Sequence, residues 1–448
     1  MRLPVVIILL FLLGCRGDEQ TEYDLVIEKV NLIDGTGAAL KTGVSIGIVD
    51  GKIKAIGTKL GFAHERMNGE GKFVIPGLFD CHVHTNDYRQ DFPQFLHYGV
   101  TSVFITGGSL CTNEFYSAMR EMGDQDSIPA PFVFHTSQHF TMEGRHPAKT
   151  YQSSDWRDGE TLFYLRDTSQ IEHIVKNVSH EPIVGIKLTI EDGPTPPFVE
   201  RMPRKFIEKT VREAAKFELE VFAHVSDNYE LESAIKSGVQ NLVHFTGVNI
   251  YPEDSAQMEL LNEFIKRDPF WVTTLMIDKS FLYPLNLDWF DNAAMIPGYR
   301  SASENVQSGQ IERSELYLNR LMAEYDLKQS DLKSLFRPQV EDIQFLYSRG
   351  FKMVLGTDTG NDFIFPGYSL HEEMELLQIG GMEPLDILKM ATLNAAEMLG
   401  AQDSLGSVEV NKLANLILLN DNPLDEISNS LKIHAVIKRG IVQDRIAD

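Results

Sequence analysis

VIPGLFDCHVHT, residues 74–85, decides how this chain folds. It is a short apolar run that ends in a His82-x-His84 pair. Four later runs end in the same manner: VGIKLTI (184–190) carries Lys187, VFAHVSD (221–227) His224, NLVHFTG (241–247) His244, and MVLGTDTG (353–360) Asp358. A brief apolar stretch bounded by turn residues reads as a buried strand. Side chains alternate along a strand, so His82 and His84 share one face, with Asp80 one step behind them. In the lysine run, Val184, Ile186, Leu188 and Ile190 take one face, while Gly185, Lys187 and Thr189 take the other. By the same alternation Ala223 and Val225 oppose His224, Val243 and Phe245 oppose His244, and Met353 and Leu355 stand apart from Asp358. Polar side chains that converge from strand ends mark the mouth of a parallel barrel. A single strand histidine is usually a satisfied core residue. Four histidines and an aspartate, joined by an inward lysine, read instead as metal ligands.

Around these runs the pattern alternates. The strands are FVIPGLFDCHVH, TSVFITGG, PFVFHTSQH, IVGIKLTI, VFAHVSD, NLVHFTG, FWVTTLMI and FKMVLGTDTG, with helical stretches such as RKFIEKTVREAAKFE and VEDIQFLYSRG between them. Eight such units predict an α/β chain folded as a (β/α)8 TIM barrel over residues 74–401. Residues 22–73 read as short strands, with the Asp50-Gly51 step as a hairpin turn. The tail, residues 402–448, returns to strand character. The two ends are expected to pair as one small β-sandwich domain. Residues 141–168 are expected to loop over the site, and 278–335 is long enough for a lid or binding segment. Two helices ending in glycine, SLHEEMELLQIGG and PLDILKMATLNAAEMLG, follow the eighth strand.

The 448 residues carry a formal charge of −23, which argues against nucleic acid or anionic surfaces as partners. Residues 1–21 read as a leader and tether. Met1-Arg2 is a short basic start, residues 3–13 are apolar but too few to span a bilayer, and Leu12-Leu13-Gly14-Cys15 resembles a bacterial lipobox. Cleavage there would leave Cys15 as a lipidated N-terminus. The expected location is outside the cytoplasm, on the periplasmic or outer-membrane side, with the membrane contacted through that lipid alone. Cys81 has the opposite parity to His82 and is not a ligand. A disulfide between Cys81 and Cys111 stays open. So does homo-oligomerisation.

On these motifs, together with NLIDGTG (31–37), TLNAAEMLG (392–400) and DSLGSVEVNKLANLILL (403–419), the chain resembles the amidohydrolase superfamily of metal-dependent hydrolases. A lysine on the fourth strand is similar to the binuclear prolidase-like and Xaa-dipeptidase-like subgroup. The resemblance implies two divalent metal ions. His82 and His84 would bind the buried ion, and His224 and His244 the more exposed one. Lys187, N-carboxylated, would bridge both, and Asp358 would bind the buried ion and move the proton. Chemistry agrees: an ammonium has no lone pair to give a cation, and carboxylation turns it into an anionic oxygen donor. The bland alternative is a barrel lysine paired with an acid such as Asp80. Zinc is the expected metal, although the same donors suit manganese, cobalt, nickel or iron.

The implied activity is hydrolysis of an amide bond in a small substrate (a dipeptide, N-acyl amino acid or cyclic amide) by a metal-activated hydroxide. The alternatives are a mononuclear deaminase or imidazolonepropionase-like hydrolase, which needs no bridging lysine, and a non-catalytic lipid-anchored binding protein, which needs no Asp358. The chain departs from the family at Gly144-Arg145-His146, where Gly-Gly-His is common, and at Asn411 and Asn415, which replace Gly and Asp. Arg145, His146 and His139 are candidate substrate contacts. His371 is expected to be structural.

Overall fold

The computed structural model describes residues 22–446 except 153, 194–197 and 325–331; the expected leader over 1–21, with Cys15, lies outside the described residues. The two ends of the chain meet in one eight-stranded sheet. Tyr23–Leu32 pairs antiparallel with Lys41–Val49 and parallel with Ala63–Asn68 and Phe73–Pro76. Lys41–Val49 turns into Lys52–Gly57 through Asp50 and Gly51, whose φ values of 49° and 72° are those of the two-residue hairpin expected there. Phe73–Pro76 then takes Leu416–Leu419 from the C-terminal region, and Ile433–Lys438 and Ile441–Val442 extend the sheet. Ile27, Ile46, Val74, Leu416, Leu418 and Ile437 form its buried core.

The run FVIPGLFDCHVH reads as one strand but folds as two. Phe73–Pro76 belongs to the terminal sheet, and Leu78–Val83 opens the parallel part. Gly77 is the joint: a Cβ there would stand 2.1 Å from Thr101 Oγ1, so no other residue lets the chain pass from one sheet to the other.

Parallel strands form the rest of the scaffold. Leu78–Val83, Val100–Ile105 and Phe132–His135 make one sheet. His139–Thr141, Gly185–Leu188, Glu220–His224, Asn241–Val243, Phe270–Val272 and Lys352–Val354 run in that order in a second, edged by Leu162–Tyr164. Backbone hydrogen bonds join the two sheets at both margins. Ser137 N–H donates to Gly185 O and Val184 N–H to His135 O, each at 2.9 Å; Cys81 N–H donates to Leu355 O and Asp358 N–H to His82 O, also at 2.9 Å. The result is a mixed α/β fold on parallel sheets, with helices such as Arg204–Ala215 and Asn228–Lys236 between successive strands.

Two expectations on local structure need correction. Residues 141–168 are not all loop: they include the end of His139–Thr141 and all of Leu162–Tyr164, which pair in parallel. Three-residue strands are too short to show a period. The stretch expected as a single last helix breaks into Pro384–Met390 and Leu393–Met398. Ala391 O is taken by Phe79 N–H, and Thr392 Oγ1 donates back to Leu388 O, so the helical ladder stops at these residues.

Candidate metal centre

Each of the six polar residues lies at or just beyond the end of a strand. His82 is the penultimate residue of the Leu78–Val83 strand, with His84 one step past its end, Lys187 sits in Gly185–Leu188, and His224 closes Glu220–His224. His244 and Asp358 lie beyond their strands with φ of 74° and 63°, outside extended geometry. Alternation therefore misleads at His244. Val243 packs with Phe222, Val272 and Val354 on the side that carries His224, while Leu242 joins the other core cluster. The left-handed turn at His244 is what brings its ring back to the same side. Gly356 is needed where this end closes, because a Cβ there would meet His82 Cβ at 2.8 Å and Val272 Cγ1 at 2.7 Å.

The six side chains come together. His82 Nε2 lies 3.2 Å from His84 Nε2, and Asp358 Oδ1 lies 3.0 Å from His84 Nε2 and 3.4 Å from His82 Nε2. His244 Nε2 lies 3.0 Å from His224 Nδ1. Lys187 Nζ is 3.5 Å from His82 Nε2 and in close contact with His224 Nε2. Two donor groups result, His82–His84–Asp358 and His82–His224–His244; within each, the donor atoms lie within 4.8 Å of one another.

The outer ring atoms of His84 and His244 are held as metal ligands require. His84 Nδ1 meets Gly107 O at 2.7 Å, so it donates its proton there and turns the Nε2 lone pair toward His82. His244 Nδ1 meets Thr274 Oγ1 at 2.8 Å. Burial, reinforced by the charge of Lys187, holds His82 and His224 well below the usual imidazole range, and burial does the same to His244. The lone pairs of His224 and His244, rings held neutral by burial, face each other and repel unless a cation stands between them. Burial pushes Asp358 up, but the His84 bond and the electrostatic pull of the neighbouring imidazoles and Lys187 outweigh it and leave the carboxyl below its ordinary value.

Lys187 is fully buried, and burial lowers its amine to about 7 against the opposing pull of Asp358 and Glu191. Asp80 is not its partner. That carboxyl accepts Thr357 Oγ1–H at 2.6 Å, Thr357 N–H at 3.0 Å and His82 N–H at 3.3 Å, and so braces the strand end that carries Asp358.

His139 and His146 lie beside the cluster. His139 pairs in register with Lys187, its Nδ1 meets Thr189 Oγ1 at 2.8 Å, and its buried Nε2 has no hydrogen-bond partner among the described residues. Trp156 packs edge-on against it with ring centroids 5.4 Å apart. His146 Nε2 lies 3.3 Å from Glu191 Oε1, and the Tyr151 ring packs 5.4 Å away. Arg145 turns to Glu200 at 2.8 Å and touches none of the six. His371 is a strut: its Nδ1 meets Ser430 Oγ and its Nε2 meets Tyr98 O. Cys81 and Cys111 are buried and free, with no disulfide between them.

Sequence reasoning missed Glu191. Its Oε1 lies 2.8 Å from His224 Nδ1, and only 6% of the residue is exposed. The available signal was an acid in IEDG, directly after the lysine strand.

A parallel α/β scaffold with a histidine and aspartate cluster at its strand ends is an arrangement that could hold a metal ion. The sequence profile of the amidohydrolase family matches residues 73–442, and the chain belongs to that family. It is a hydrolase that acts on carbon–nitrogen bonds. Ochratoxinase of Aspergillus niger is 23% identical over 392 residues, spanning 79% of this chain and 71% of that protein. A putative prolidase from Bifidobacterium longum superposes with a TM-score of 0.69 at 21% identity, covering 94% of each chain. A Xaa-Pro dipeptidase with bound methionine gives a TM-score of 0.68 at 19% identity, over 94% of this chain and 99% of that one.

Proposed function

We propose that the chain is an exported, lipid-anchored amidohydrolase that uses two divalent ions, zinc before others, to cleave an amide bond in a small substrate. In this reading the eight parallel strands close into a (β/α)8 barrel over residues 74–401, and the terminal sheet is a β-sandwich domain of residues 22–73 and 402–448. Cys15 carries the lipid.

One observation carries the two-ion reading: Lys187 is wholly buried with Nζ against the imidazole nitrogens of His82 and His224 and no hydrogen-bonded carboxylate. An ammonium there would face imidazole lone pairs but, among the described residues, no hydrogen-bonded carboxylate, with only the charges of Asp358 and Glu191 at longer range to offset its burial. A neutral amine suits the site, and its lone pair can attack CO2 with loss of one proton to give a carbamate. That group has the two oxygens needed to reach both donor sets. His82, His84 and Asp358 would hold one ion, His224 and His244 the other, and carboxylated Lys187 both.

Bound there, the ions would supply Lewis acidity toward the scissile carbonyl and lower the pKa of a bound water to about 7. Asp358, beside His82 and His84, would hold a proton and pass it to the nitrogen of the leaving amine. Gly107 O and Thr274 fix the ring orientations of His84 and His244 throughout. His139 Nε2, buried beside His84 and without a partner among the described residues, is the group best placed to meet a polar atom of the substrate.

The test is turnover of purified protein on a panel of dipeptides, N-acyl amino acids and cyclic amides, before and after chelation. Cleavage of at least one class, abolished by chelator and restored by added metal, is expected. Chelator-resistant turnover would overturn the metal-dependent reading.

A further inference from the structure

The strand Phe270–Val272 leads into the short helix Met276–Ser280 through Thr273, Thr274 and Leu275, and a buried acid from another helix holds this joint. Glu373, in the Tyr368–Ile379 helix, is fully buried. Its Oε1 accepts Thr273 Oγ1–H at 2.6 Å and Leu275 N–H at 2.9 Å, and its Oε2 accepts Met276 N–H at 2.8 Å. The start of Met276–Ser280 has no side-chain cap of its own, so Glu373 satisfies backbone donors that a helix leaves free there. Between the gripped residues stands Thr274, with a φ of 69°. A β-branched residue is an outlier in the left-handed region and stays there only where its surroundings fix it. The hydrogen bonds of Glu373 fall on both sides of it.

In that conformation Thr274 meets a ring of the metal centre: its Oγ1 is 2.8 Å from His244 Nδ1. A histidine that gives its Nε2 lone pair to an ion carries its proton on Nδ1, and the acceptor of that proton sets the angle of the ring. For His84 the acceptor is a backbone carbonyl, Gly107 O. For His244 it is a side chain, whose direction depends on the backbone that Glu373 holds. Neighbouring Glu372 grips the same short helix further along, in close contact with Lys279 Nζ, and accepts Tyr283 O–H at 2.5 Å. We propose that Glu373 is a positioning residue of the metal centre: through Thr274 it aims His244, and so sets the affinity of the ion that His224 and His244 hold. This rests on the two-ion reading above and adds to it a group that touches neither an ion nor the substrate.

The experiment draws zinc from the loaded protein with a chelator of known affinity and reads melting temperatures on the same samples. Thr274→Val removes the acceptor and should weaken one of the two ions by about 10- to 100-fold, the range for losing the support of a metal-bound histidine. Thr274→Ser, which keeps the hydroxyl, should retain most of the affinity. Glu373→Gln cannot accept all three bonds; it should weaken the same ion and spare the other. Combined with Thr274→Val, it should cost no more affinity than the larger of the two single changes, because it acts through Thr274. Glu372→Gln, which loosens the same pair of helices at Lys279 and Tyr283, should lower the melting temperature and spare both ions. Unchanged affinities in Glu373→Gln overturn the proposal. Fully additive losses in the double variant, or an equal loss in Glu372→Gln, overturn it too, since either makes loosened packing the cause. If Glu373→Gln fails to fold, Thr274→Val decides: an undiminished affinity there defeats the proposal, and a loss confined to one ion, spared in Thr274→Ser, upholds it. Two wild-type ions that Glu373→Gln leaves untouched would sink this inference alone, whereas a wild type that binds no zinc would sink the metal reading with it.

Discussion

Replacing Asp358 by Asn separates proton transfer from metal binding more cleanly than any other change in the site. Asp358 Oδ1 is 3.0 Å from His84 Nε2 and 3.4 Å from His82 Nε2, and the residue is nearly buried. Its backbone is fixed independently of the carboxylate: the N–H donates to His82 O at 2.9 Å, and the carbonyl accepts Asn361 Nδ2–H at 3.0 Å. The φ of 63° is one that Asn tolerates, so the substitution should keep the fold. On the proposed mechanism, what it removes is the group that takes the proton. Loss of a positioned general acid–base costs about 10²- to 10⁴-fold in kcat, or roughly 3–5 kcal/mol of barrier. Steady-state kinetics across pH on the best amide substrate provide the assay. The sign follows from the chemistry: Asp358 must be ionised to accept a proton, so wild-type activity falls as pH drops through its lowered pKa. The Asn variant should lack this acidic limb and lose at most one metal ion. Near-normal kcat, or a retained acidic limb, would refute the role given to Asp358. Collapse of the fold would make the residue structural.

Two further outcomes are expected. His371 is buried and held at about 4, below the 6.5 of a free imidazole, mainly by burial. A depressed histidine contributes stability that is present above pH 6.5 and lost as pH falls toward 4, by about 3 kcal/mol. Urea unfolding at pH 7 and pH 4 should show His371→Gln losing less stability than the wild type by about that amount, and equal losses would refute the argument. Cys15→Ser should release an active enzyme from the membrane fraction, because the change removes the acylation site and little else; unchanged membrane association would rule out lipidation at Cys15.

Much of the site was legible because strand ends announce themselves. Lys187 and His224 lie in extended backbone where period-two alternation holds, and Ile186, Leu188, Ala223 and Val225 share one core cluster while Phe222 joins the other. At His82 it breaks down, with Val83 in the first cluster and Cys81 in the second, where the strand register shifts between Asp80 and Val83. Alternation failed at His244, where the backbone turns left-handed and Val243 falls on the histidine's own side. It also could not divide FVIPGLFDCHVH, because a sheet change at Gly77 alters neither hydrophobicity nor period; only the approach of Thr101 exposes it. Glu191 was invisible for another reason. It follows its strand in a loop, where side-chain direction is set by backbone contacts such as the Ile190 N–H, and no periodicity encodes those. The free Cys81 and Cys111 were left open by sequence, since pairing depends on distances that two isolated cysteines do not reveal.

The central claim is that Lys187 joins two ions into one centre, and metal analysis of the wild type and Lys187→Ala, purified side by side in bicarbonate buffer, tests it most directly. The wild type should carry close to two equivalents of divalent metal. Lys187→Ala should carry one or fewer and lose most activity, with part of both regained when a short carboxylic acid is added to replace the missing oxygens. Full metal content and full activity in Lys187→Ala would contradict the account.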